Sequence, residues 1–508
     1  MTTTPEGPRR RIGAGTVSGL LRSPAISTGS LSKLLAALVF FYVAIQLNTH
    51  FWLDETAGYW TTNAGFTQIV HRCIIWPHSI LYSFVLLALR SLGIHQPWIY
   101  RLPSLLAISG ACFILFRLTK RLFNSETAWL TLAIFISLSP VQFAAGDARS
   151  YALGMLCVIG STDLLVRLLD RPNLQLALAY GLTAGLVPHF HLLFATVLVF
   201  HLCYFITCWF ADRRIALSYA VLAVVLVAVV SGPLSYQYLV AAHDVHAHDF
   251  STRPWLNQAL LTYFPDACVI ALLVTGVFLL LSRTEVKLAI PAGKLPRALA
   301  FLWAVVPVAL LFAVTSVSPV HVFIPRYLLP FAPGFAICLA ALLAALRSPL
   351  IPRLFLGVLV ALLCLHLRHP LQLSHAQSLG DWADAFAFVD KQTAADHASV
   401  LFRSVYPESD VMPLYPLHDN PVFSQLAFYP CTARIIPLAR TFDQRQIAQL
   451  DGFLASRLNS APHFFLMFQG LSPAEPLAYF LLGRLGPAWR IRSSDFDGVI
   501  VIEFYHTT

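Results

Sequence analysis

Long apolar runs separated by short basic stretches restrict what this chain can fold into more than any other feature of its sequence. Eleven such runs can be marked between Leu31 and Leu365, and a helix needs about 20 residues to cross the hydrocarbon core of a bilayer. Only 12% of the 508 residues are charged, whereas a soluble chain carries about 25%. The sequence therefore predicts a polytopic α-helical membrane protein with about eleven spans.

The basic residues predict how these runs are oriented in the membrane. The runs are Leu31–Gln46, Leu102–Leu118, Ala128–Leu138, Tyr151–Leu169, Leu174–Pro188, Leu192–Phe210, Ile215–Leu239, Thr262–Leu281, Leu299–Val314, Tyr327–Leu346 and Leu350–Leu365. Every loop assigned to the cytoplasm carries at least two Lys or Arg, as the positive-inside rule requires. The formal charge of +9 therefore reflects topology and does not indicate nucleic-acid binding. We expect an integral protein of a bacterial inner (plasma) membrane, with its N-terminus cytoplasmic and its C-terminal region extracytoplasmic.

Three regions lie outside these runs. Residues 1–30 are rich in Pro, Ser and Arg and are predicted to be a disordered cytoplasmic tail, and the first run has no cleavage site and is predicted to be a signal anchor. In the outer loop 49–101, the apolar run 78–92 is too short for a span and predicts an interfacial helix. After residue 368 the stretch DWADAFAFVDKQTAADH has helical periodicity, and ASVLFRSV, HFFLMF and DGVIVIEFY predict short strands. The domains are therefore a membrane domain, 31–368, and a small extracytoplasmic α/β domain, 369–508.

Four arginines lie on the side of the membrane where the positive-inside rule does not explain them. They are Arg101, Arg149, Arg253 and Arg326, each near the outer end of a predicted span. Ionisable groups at membrane depth usually face a cavity or a partner, and guanidinium groups suit the bidentate binding of phosphate oxygens. These arginines predict a polar, anion-binding pocket at the outer face. The alternative is that Arg101 and Arg149 snorkel, or pair with Asp147 and Asp54.

Two adjacent acids, Asp54 and Glu55, follow the first span in the stretch FWLDETAGYW. They can be the acidic first turn of a helix in the loop, because carboxylates favour helix N-termini. A carboxylate in a partly dry cleft can also accept a proton from an attacking hydroxyl, or bind a divalent metal. The residues alone leave these three interpretations open.

Histidines and cysteines give weaker signals. His189 and His191, in PHFHLLF, begin the sixth span on the outer side and can line the pocket or simply pack. The loop HDVHAHD, residues 243–249, contains an HxxHxH pattern that is capable of binding a metal, but no predicted helix fixes its geometry. Of the nine cysteines, Cys73 and Cys431 are the two predicted to face an oxidising compartment, and the sequence cannot pair them.

Several short motifs occur in a fixed order on the predicted outer side. They are DE at 54–55, RLPS at 101–104, SP at 139–140, DARSY at 147–151, the histidine at 189 and RYLLP at 326–330, followed by the soluble domain. In this order the sequence resembles the GT-C membrane glycosyltransferases, in the group of the protein O-mannosyltransferases and the bacterial enzyme that adds aminoarabinose to lipid A (family 39 type). The resemblance covers about residues 31–370. Asp147 stands where that group usually has Glu, and WPHSILY at 76–82 keeps little of the group's Pro-Pro-Leu-Tyr run.

The resemblance implies an inverting transferase that moves a hexosyl or pentosyl group from a polyprenyl-phosphate donor to an acceptor hydroxyl on lipid, glycan or protein of the cell envelope. It implies catalytic roles for Asp54, Glu55 and Asp147, with Asp54 as the base or as a ligand to a divalent cation (Mg²⁺ or Mn²⁺). It implies donor-phosphate binding by Arg101, Arg149, Arg326 and Tyr327, and substrate binding by Tyr82, Tyr151 and His189.

Two other functions are compatible with the same features. A transporter or flippase for lipid-linked sugars would have similar spans, but it needs ionisable groups near the midplane, where only Asp163 and Asp266 are candidates. A non-catalytic envelope assembly factor would use the outer domain to bind a partner. Intact motifs and the near absence of charges inside the spans favour chemistry at one face of the membrane.

Overall fold

The computed structural model describes most of the chain. The described residues are 27–63, 65–75, 78–211, 216–243, 253–282, 288, 293–318, 322–346, 348–367, 381–403, 423–438, 444–454, 461–470 and 476–507. Residues 1–26 of the predicted tail, the HDVHAHD loop after residue 243 and the boundary between the two predicted domains lie outside these residues, whereas residues 28–30, predicted to be disordered, are helical.

The N-terminal part of the described chain is helical. Its helices are α1 Thr28–Gln46, α2 Leu53–Thr61, α3 Phe66–Ile75, α4 Ile80–Arg90, α5 Pro97–Leu122, α6 Ser125–Ser137, α7 Ser139–Gly146, α8 Tyr151–Asp170, α9 Leu174–Phe190, α10 Thr196–Phe210, α11 Leu217–Ser231, α12 Leu234–His243, α13 Leu256–Leu261, α14 Asp266–Ser282, α15 Lys294–Val317, α16 Ala332–Ala345 and α17 Leu350–Leu367. Short 3₁₀ helices, Leu192–Ala195 and Pro325–Phe331, precede α10 and α16. Each of the eleven predicted spans overlaps at least one of these helices, and Ile215–Leu239 overlaps two, α11 and α12.

Seven helical stretches of the described residues are long and apolar enough to cross a membrane. They are α1, α5, α8, α10 with its 3₁₀ turn, α15, α16 with its 3₁₀ turn, and α17. The pair α6 and α7 passes the same test as one span that is bent by 69°. The prediction of an integral, polytopic helical membrane protein is confirmed, while spans at α9, α11 and α14 stay predictions.

The bend between α6 and α7 arises where Leu138 leaves the helical conformation, with φ −72° and ψ 125°. Pro140 lies in the first turn of α7, where its missing N–H costs no helical hydrogen bond. The bend directs the chain sideways, so that α7 ends at Gly146, immediately before the DARSY motif. A helix break therefore decides where Asp147 and Arg149 lie.

The C-terminal part forms a five-stranded sheet with helices on both faces. Its elements are α18 Trp382–Thr393, β1 Ser399–Arg403, α19 Gln425–Phe428, β2 Arg434–Leu438, α20 Gln444–Phe453, β3 His463–Gln469, α21 Pro476–Leu485, β4 Trp489–Phe496 and β5 Val499–His506. The strand order is β2-β1-β3-β5-β4, with β2, β1 and β3 parallel and β5 and β4 antiparallel.

Burial on both faces of the sheet explains the almost continuous apolar sequence of its central strands. Phe464 and Leu466 of β3 pack on the side of α21, and Phe465 and Met467 pack on the side of Trp382. All four side chains are fully buried. The prediction of a small C-terminal α/β unit is confirmed, including a helix near residue 382 and strands at ASVLFR, HFFLMF and VIVIEFY.

Candidate active site

Helix α2 carries the two adjacent acids in its first turn. Trp52 caps the helix, and its backbone N–H donates to Glu55 Oε2 at 3.2 Å. Successive residues of a helix point about 100° apart, so Asp54 and Glu55 face different surroundings. Glu55 is 1% exposed, whereas 15% of the Asp54 side chain is accessible. The two acids therefore have different chemical possibilities.

Glu55 forms a closed ion pair with Arg101 of α5. Nε and Nη2 of Arg101 donate to the two carboxylate oxygens at 2.7 and 2.6 Å, and the Ala148 N–H donates to Oε1 at 2.8 Å. The other guanidinium protons donate to backbone carbonyls at the end of α1 and in the loop after it, Gln46, Leu47, Thr49 and His50. The RLPS arginine and the second acid of DE thus hold the loop between α1 and α2 against α5. This geometry favours a structural role for both, instead of the phosphate-binding and catalytic roles that the resemblance implies.

Asp54 lies beside the other two motif arginines. Its Oδ2 is 3.4 Å from Nη1 of Arg326 and 3.9 Å from Nη2 of Arg149, and Arg149 also donates to the Asp54 carbonyl at 2.9 Å. These separations exceed the 2.7–2.9 Å of a tight charge-assisted hydrogen bond. The Arg149 and Arg326 side chains are 20% and 27% exposed. Both can therefore turn donors toward an anion that binds next to Asp54.

Asp147 is the third acid of the cluster. Its Oδ1 accepts from Trp52 Nε1 at 3.0 Å, and its Oδ2 is buried without a hydrogen-bond partner among the described residues. Burial, and then the charge of Glu55, raises the pKa of Asp147 well above its usual value. Asp147 is therefore suited to hold a proton and donate a hydrogen bond, and is less suited to act as an anion.

Aromatic rings enclose the two arginines. The Arg326 guanidinium carbon is 5.8 Å from the centroid of the Trp52 ring and 5.3 Å from that of Tyr327, and the Arg149 guanidinium carbon is 5.9 Å from that of Tyr151. Such contacts between a cation and an aromatic face are attractive. The 3₁₀ helix Pro325–Phe331 and the start of α8 thus bring RYLLP and DARSY to the same point as DE.

No family model and no curated protein matches the sequence. The structure is similar to that of ArnT from Cupriavidus metallidurans bound to undecaprenyl phosphate, with a TM-score of 0.53 and 13% identity, over 92% of this chain and 97% of that one. The apo form of the same protein gives a TM-score of 0.52 with the same identity and coverage. ArnT is a lipid A aminoarabinose transferase of the GT-C class.

The chain has the GT-C fold. A weaker likeness, with a TM-score of 0.40 and 13% identity, relates it to the Archaeoglobus fulgidus oligosaccharyltransferase in complex with Zn and sulfate, over 86% of this chain and 68% of that one. The resemblance noted from the ordered motifs is confirmed at the level of the fold. In this GT-C fold, the motifs DE, DARSY and RYLLP are distant in sequence and meet at Asp54.

The remaining residues that the sequence predicted for the site lie around this cluster. Tyr82, on α4, is buried, and its hydroxyl donates to the Tyr100 carbonyl at 3.4 Å. Tyr151 is buried, and its ring centroid lies 5.2 Å from that of His191. The His191 ring also lies 4.8 Å from that of Tyr327. Tyr151 and Tyr327 therefore belong to the arginine cluster, while Tyr82 supports it from α4.

Of the two histidines, His191 is the one whose ring lies beside Tyr151 and Tyr327, whereas His189 faces α11. The His189 ring hydrogen-bonds through Nε2 to the Val230 carbonyl of α11 at 2.6 Å. His191 Nδ1 is buried and has no hydrogen-bond partner among the described residues. Burial, and then the charges of Arg149 and Arg326, lower the pKa of His191 to about 3. Sequence reasoning considered both histidines, and the spacing of the two could not distinguish them.

One residue near the site was missed by the sequence analysis. Burial, followed by the charge of Arg149, lowers the pKa of His78 to about 3, and the charge of Asp54 partly opposes this. His78 precedes α4, and its carbonyl accepts from Gln237 of α12 at 3.0 Å. A histidine at the start of the interfacial run was the available signal.

A divalent cation does not fit the donor set around Asp54. The nearest charged partners of its carboxylate are two arginines, and the neighbouring carboxylate of Glu55 is engaged by Arg101. Within the described residues, metal-ligand atoms do converge at His50, Asp381 and Asp384, within 4.8 Å of one another. There His50 Nδ1 hydrogen-bonds to Asp381 Oδ1 at 2.8 Å.

Cys73 and Cys431 are both free thiols. Cys73 is buried beside Ser83, with Sγ and Oγ 3.4 Å apart, and Cys431 lies 3.0 Å from Asp390 Oδ1. They do not form a disulfide with each other.

Proposed function

We propose that this protein is an inverting glycosyltransferase that moves a sugar from a polyprenyl-phosphate donor to an acceptor hydroxyl at the extracytoplasmic face of a bacterial inner membrane. The observation that carries the proposal is the convergence of Asp54, Arg149 and Arg326, with both guanidinium groups within 4.0 Å of one carboxylate oxygen. A carboxylate that can act as a base, next to two guanidinium groups that can donate hydrogen bonds to phosphate oxygens, meets the requirements of this reaction.

Asp54 acts as the general base. It accepts the proton of the acceptor hydroxyl while the hydroxyl oxygen attacks the anomeric carbon. A bond forms between this oxygen and the anomeric carbon, and the bond from that carbon to the phosphate oxygen breaks with its electron pair on the phosphate. The products are the glycosylated acceptor, with inverted configuration, and the free polyprenyl phosphate.

Arg149 and Arg326 bind the donor phosphate. The phosphate changes from a diester to a monoester as it leaves, so its negative charge increases in the transition state. Fixed cations therefore stabilise the transition state more than the ground state. Before the donor binds, the two arginines share Asp54; when a phosphate draws them away, the carboxylate becomes available to the acceptor.

The neighbouring groups assist in different ways. Tyr151, Tyr327 and the neutral His191 ring surround the arginines and can hydrogen-bond to phosphate oxygens. Asp147, which Trp52 orients, can donate a hydrogen bond to the sugar or the acceptor. Glu55 and Arg101 hold the helix that carries Asp54 and do not touch the donor.

The choice of donor is supported by the fold and by the position of the site. ArnT, which has the same fold, was solved bound to undecaprenyl phosphate. The cluster lies where α5, α8 and the 3₁₀ helix before α16, all parts of apolar spans, reach their ends. A lipid-linked phosphate can therefore reach the arginines while its tail stays in the membrane.

No observation favours the flippase. Asp163, the candidate for a charged path through the membrane, is paired with Arg121 at 3.1 Å and with Arg167 at 2.6 Å, near the ends of α5 and α8. Asp266 is the exposed first residue of α14. Asp163 is thus paired with two arginines, and Asp266 lies at the end of its helix, so neither supplies the unpaired ionisable group near the midplane that we would expect of a transport path.

The test is donor consumption in proteoliposomes. Purified wild type, Asp54→Asn and the control Asp266→Asn are given a panel of radiolabelled polyprenyl-phosphate sugars and a membrane extract as acceptor. We expect wild type and Asp266→Asn to consume one donor, and Asp54→Asn to be slower by at least about 10²-fold. If no protein consumes donor but all of them move it across the bilayer, the transferase proposal is refuted and the flippase replaces it.

A further inference from the structure

The C-terminal domain contacts the membrane domain at the segment that carries the two acids. Residues 423–429, which include α19 and are called the docking segment here, lie against residues 51–59. The Phe51 N–H donates to the Tyr429 hydroxyl oxygen at 2.6 Å, and the hydroxyl oxygens of Thr56 and Ser424 are 3.2 Å apart.

Apolar contacts complete this interface. The ring centroid of Phe428 lies 4.3 Å from that of Phe51 and 4.9 Å from that of Tyr59. Phe51, Tyr59 and Ser424 are all less than 5% exposed. The docking segment is therefore packed against α2 like part of a core, and it is not a loose contact between two domains.

Helix α2 depends on such contacts for its position. It has nine residues, and isolated helices of fewer than about 12 residues are marginal in water. On one side the Glu55–Arg101 pair holds it against α5. On another side the docking segment fixes both the backbone just before its N-cap and the side chain of Thr56, so the two contacts flank Asp54.

We propose that the docking segment positions Asp54 for proton transfer, with Tyr429 and Phe428 as positioning residues. This inference rests on the proposed function and extends it, because it makes the C-terminal domain part of the catalytic scaffold. Asp54 lies three residues after Phe51, whose N–H the Tyr429 hydroxyl accepts. A backbone shift at Phe51 is therefore transmitted to the base, and a displacement of 1 Å can cost about 10²-fold in rate.

Among the described residues, no hydrogen bond or ring contact joins the docking segment directly to Arg149 or Arg326, although Arg149 donates to the Asp54 carbonyl. Loss of the Tyr429 hydroxyl should therefore impair the chemical step and leave donor binding intact. This separation between kcat and KM distinguishes a positioning role from a general loss of folded protein.

The first variant is Tyr429→Phe, which removes the hydroxyl and keeps the ring. Its control is Tyr479→Phe in the same domain, where the side chain is 59% exposed. In the proteoliposome assay, we expect Tyr429→Phe to lower kcat about tenfold and to change the KM for the donor less than about twofold. Tyr479→Phe should match wild type.

A rescue experiment adds a readout that a purely structural role would not move. Thr56→Cys and Ser424→Cys are combined with Tyr429→Phe, because the replaced hydroxyl oxygens are within 3.2 Å. Oxidation should form a disulfide between positions 56 and 424, detected by mass spectrometry of peptides, and restore most of the lost kcat. Reduction should remove the gain.

The inference is overturned if Tyr429→Phe keeps the kcat of an active wild type, or if the cross-link forms without restoring activity. It is also overturned if kcat per folded molecule is unchanged and only the melting temperature falls. If wild type itself consumes no donor, the proposed function is refuted and the positioning role is refuted with it. An active wild type with an unaffected Tyr429→Phe refutes the positioning role alone.

Discussion

Replacing Glu55 by Gln should damage the stability of the protein, whereas replacing its neighbour Asp54 by Asn should damage the reaction. The Glu55 carboxylate receives four hydrogen bonds: two from Arg101, one from the Ala148 N–H and one from the Trp52 N–H. An amide group can accept with one of its two ends only. The other end would point its own N–H groups at donors.

The magnitude follows from burial. Glu55 and Arg101 are 1% and 3% exposed, so Glu55→Gln leaves a buried guanidinium without its counter-ion. Removal of one partner of a buried ion pair costs about 3–5 kcal/mol. Asp54 is more accessible, and its contacts with Arg149 and Arg326 are 3.9 and 3.4 Å long, so Asp54→Asn should cost less than about 1 kcal/mol.

The assay is a denaturant titration of both variants in mixed micelles, followed by donor consumption at a temperature where both are folded. Arg101→Gln and the double variant Glu55→Gln/Arg101→Gln complete a double-mutant cycle. Since the double variant has no unpaired charge, its loss of stability should be smaller than the sum of the two single losses.

The reasoning is refuted if Glu55→Gln unfolds at the wild-type denaturant concentration and yet consumes no donor. That result would make Glu55 a catalytic residue. It would also mean that the pairing with Arg101 opens during the reaction.

Three further predictions concern groups around the site. Burial raises the pKa of Asp147, so protonation of this carboxyl stabilises the folded state at low pH, and that stability is lost as the pH rises from 3.8 toward the raised pKa. The melting temperature of Asp147→Asn relative to wild type should therefore increase from about pH 5 to about pH 8. A difference that stays constant with pH would contradict the raised pKa. The hydrogen bond to Asp381 raises the pKa of His50, so the contact between His50 and Asp381 stabilises the protein fully below pH 6.5, and this stabilisation is lost as the pH rises through the raised pKa. The melting temperature of wild type should therefore exceed that of His50→Gln by less at about pH 9 than at about pH 6. A difference that grows with pH would show that the contact needs neutral His50. His191→Gln should lower kcat/KM for the donor about tenfold. His189→Gln loses the hydrogen bond to the Val230 carbonyl, so it should lower the free energy of unfolding by about 1 kcal/mol and have little effect on the kinetics. Equal losses of kcat/KM in the two variants would show that the roles of the two histidines are wrongly assigned.

The fold could be predicted from local patterns because each of its units is encoded locally. Apolar runs and flanking basic residues locate helices such as α5 and α8 without knowledge of their neighbours. In the C-terminal domain, the apolar run of β3 indicated a strand. The edge strands β2 and β4 were missed, because Pro437 interrupts the first and exposed charged residues occur along the second.

The candidate site could be predicted in part. The outer arginines and acids were found because charged residues are rare in so apolar a chain, and Asp54, Arg149 and Arg326 do meet. Sequence reasoning could not separate Arg101 from the other arginines, since all three are preceded or followed by apolar spans. It could not choose between His189 and His191 either, because that choice depends on the packing of α9 against α11.

The sequence by itself determined that this chain is a helical membrane protein with a small α/β unit. It also identified the few charged residues that are candidates for a functional role. Hydrophobic burial and the positive-inside rule act on each segment separately, so both can be read from the order of the residues. Only the tertiary structure showed that Glu55 is neutralised by Arg101, whereas Asp54 lies within 4.0 Å of two partly exposed arginines. Only it brought the docking segment, more than 360 residues away from Thr56 along the chain, against α2. The physical reason is that a carboxylate's role is set by the partners and the dielectric around it, and residues distant in sequence supply both.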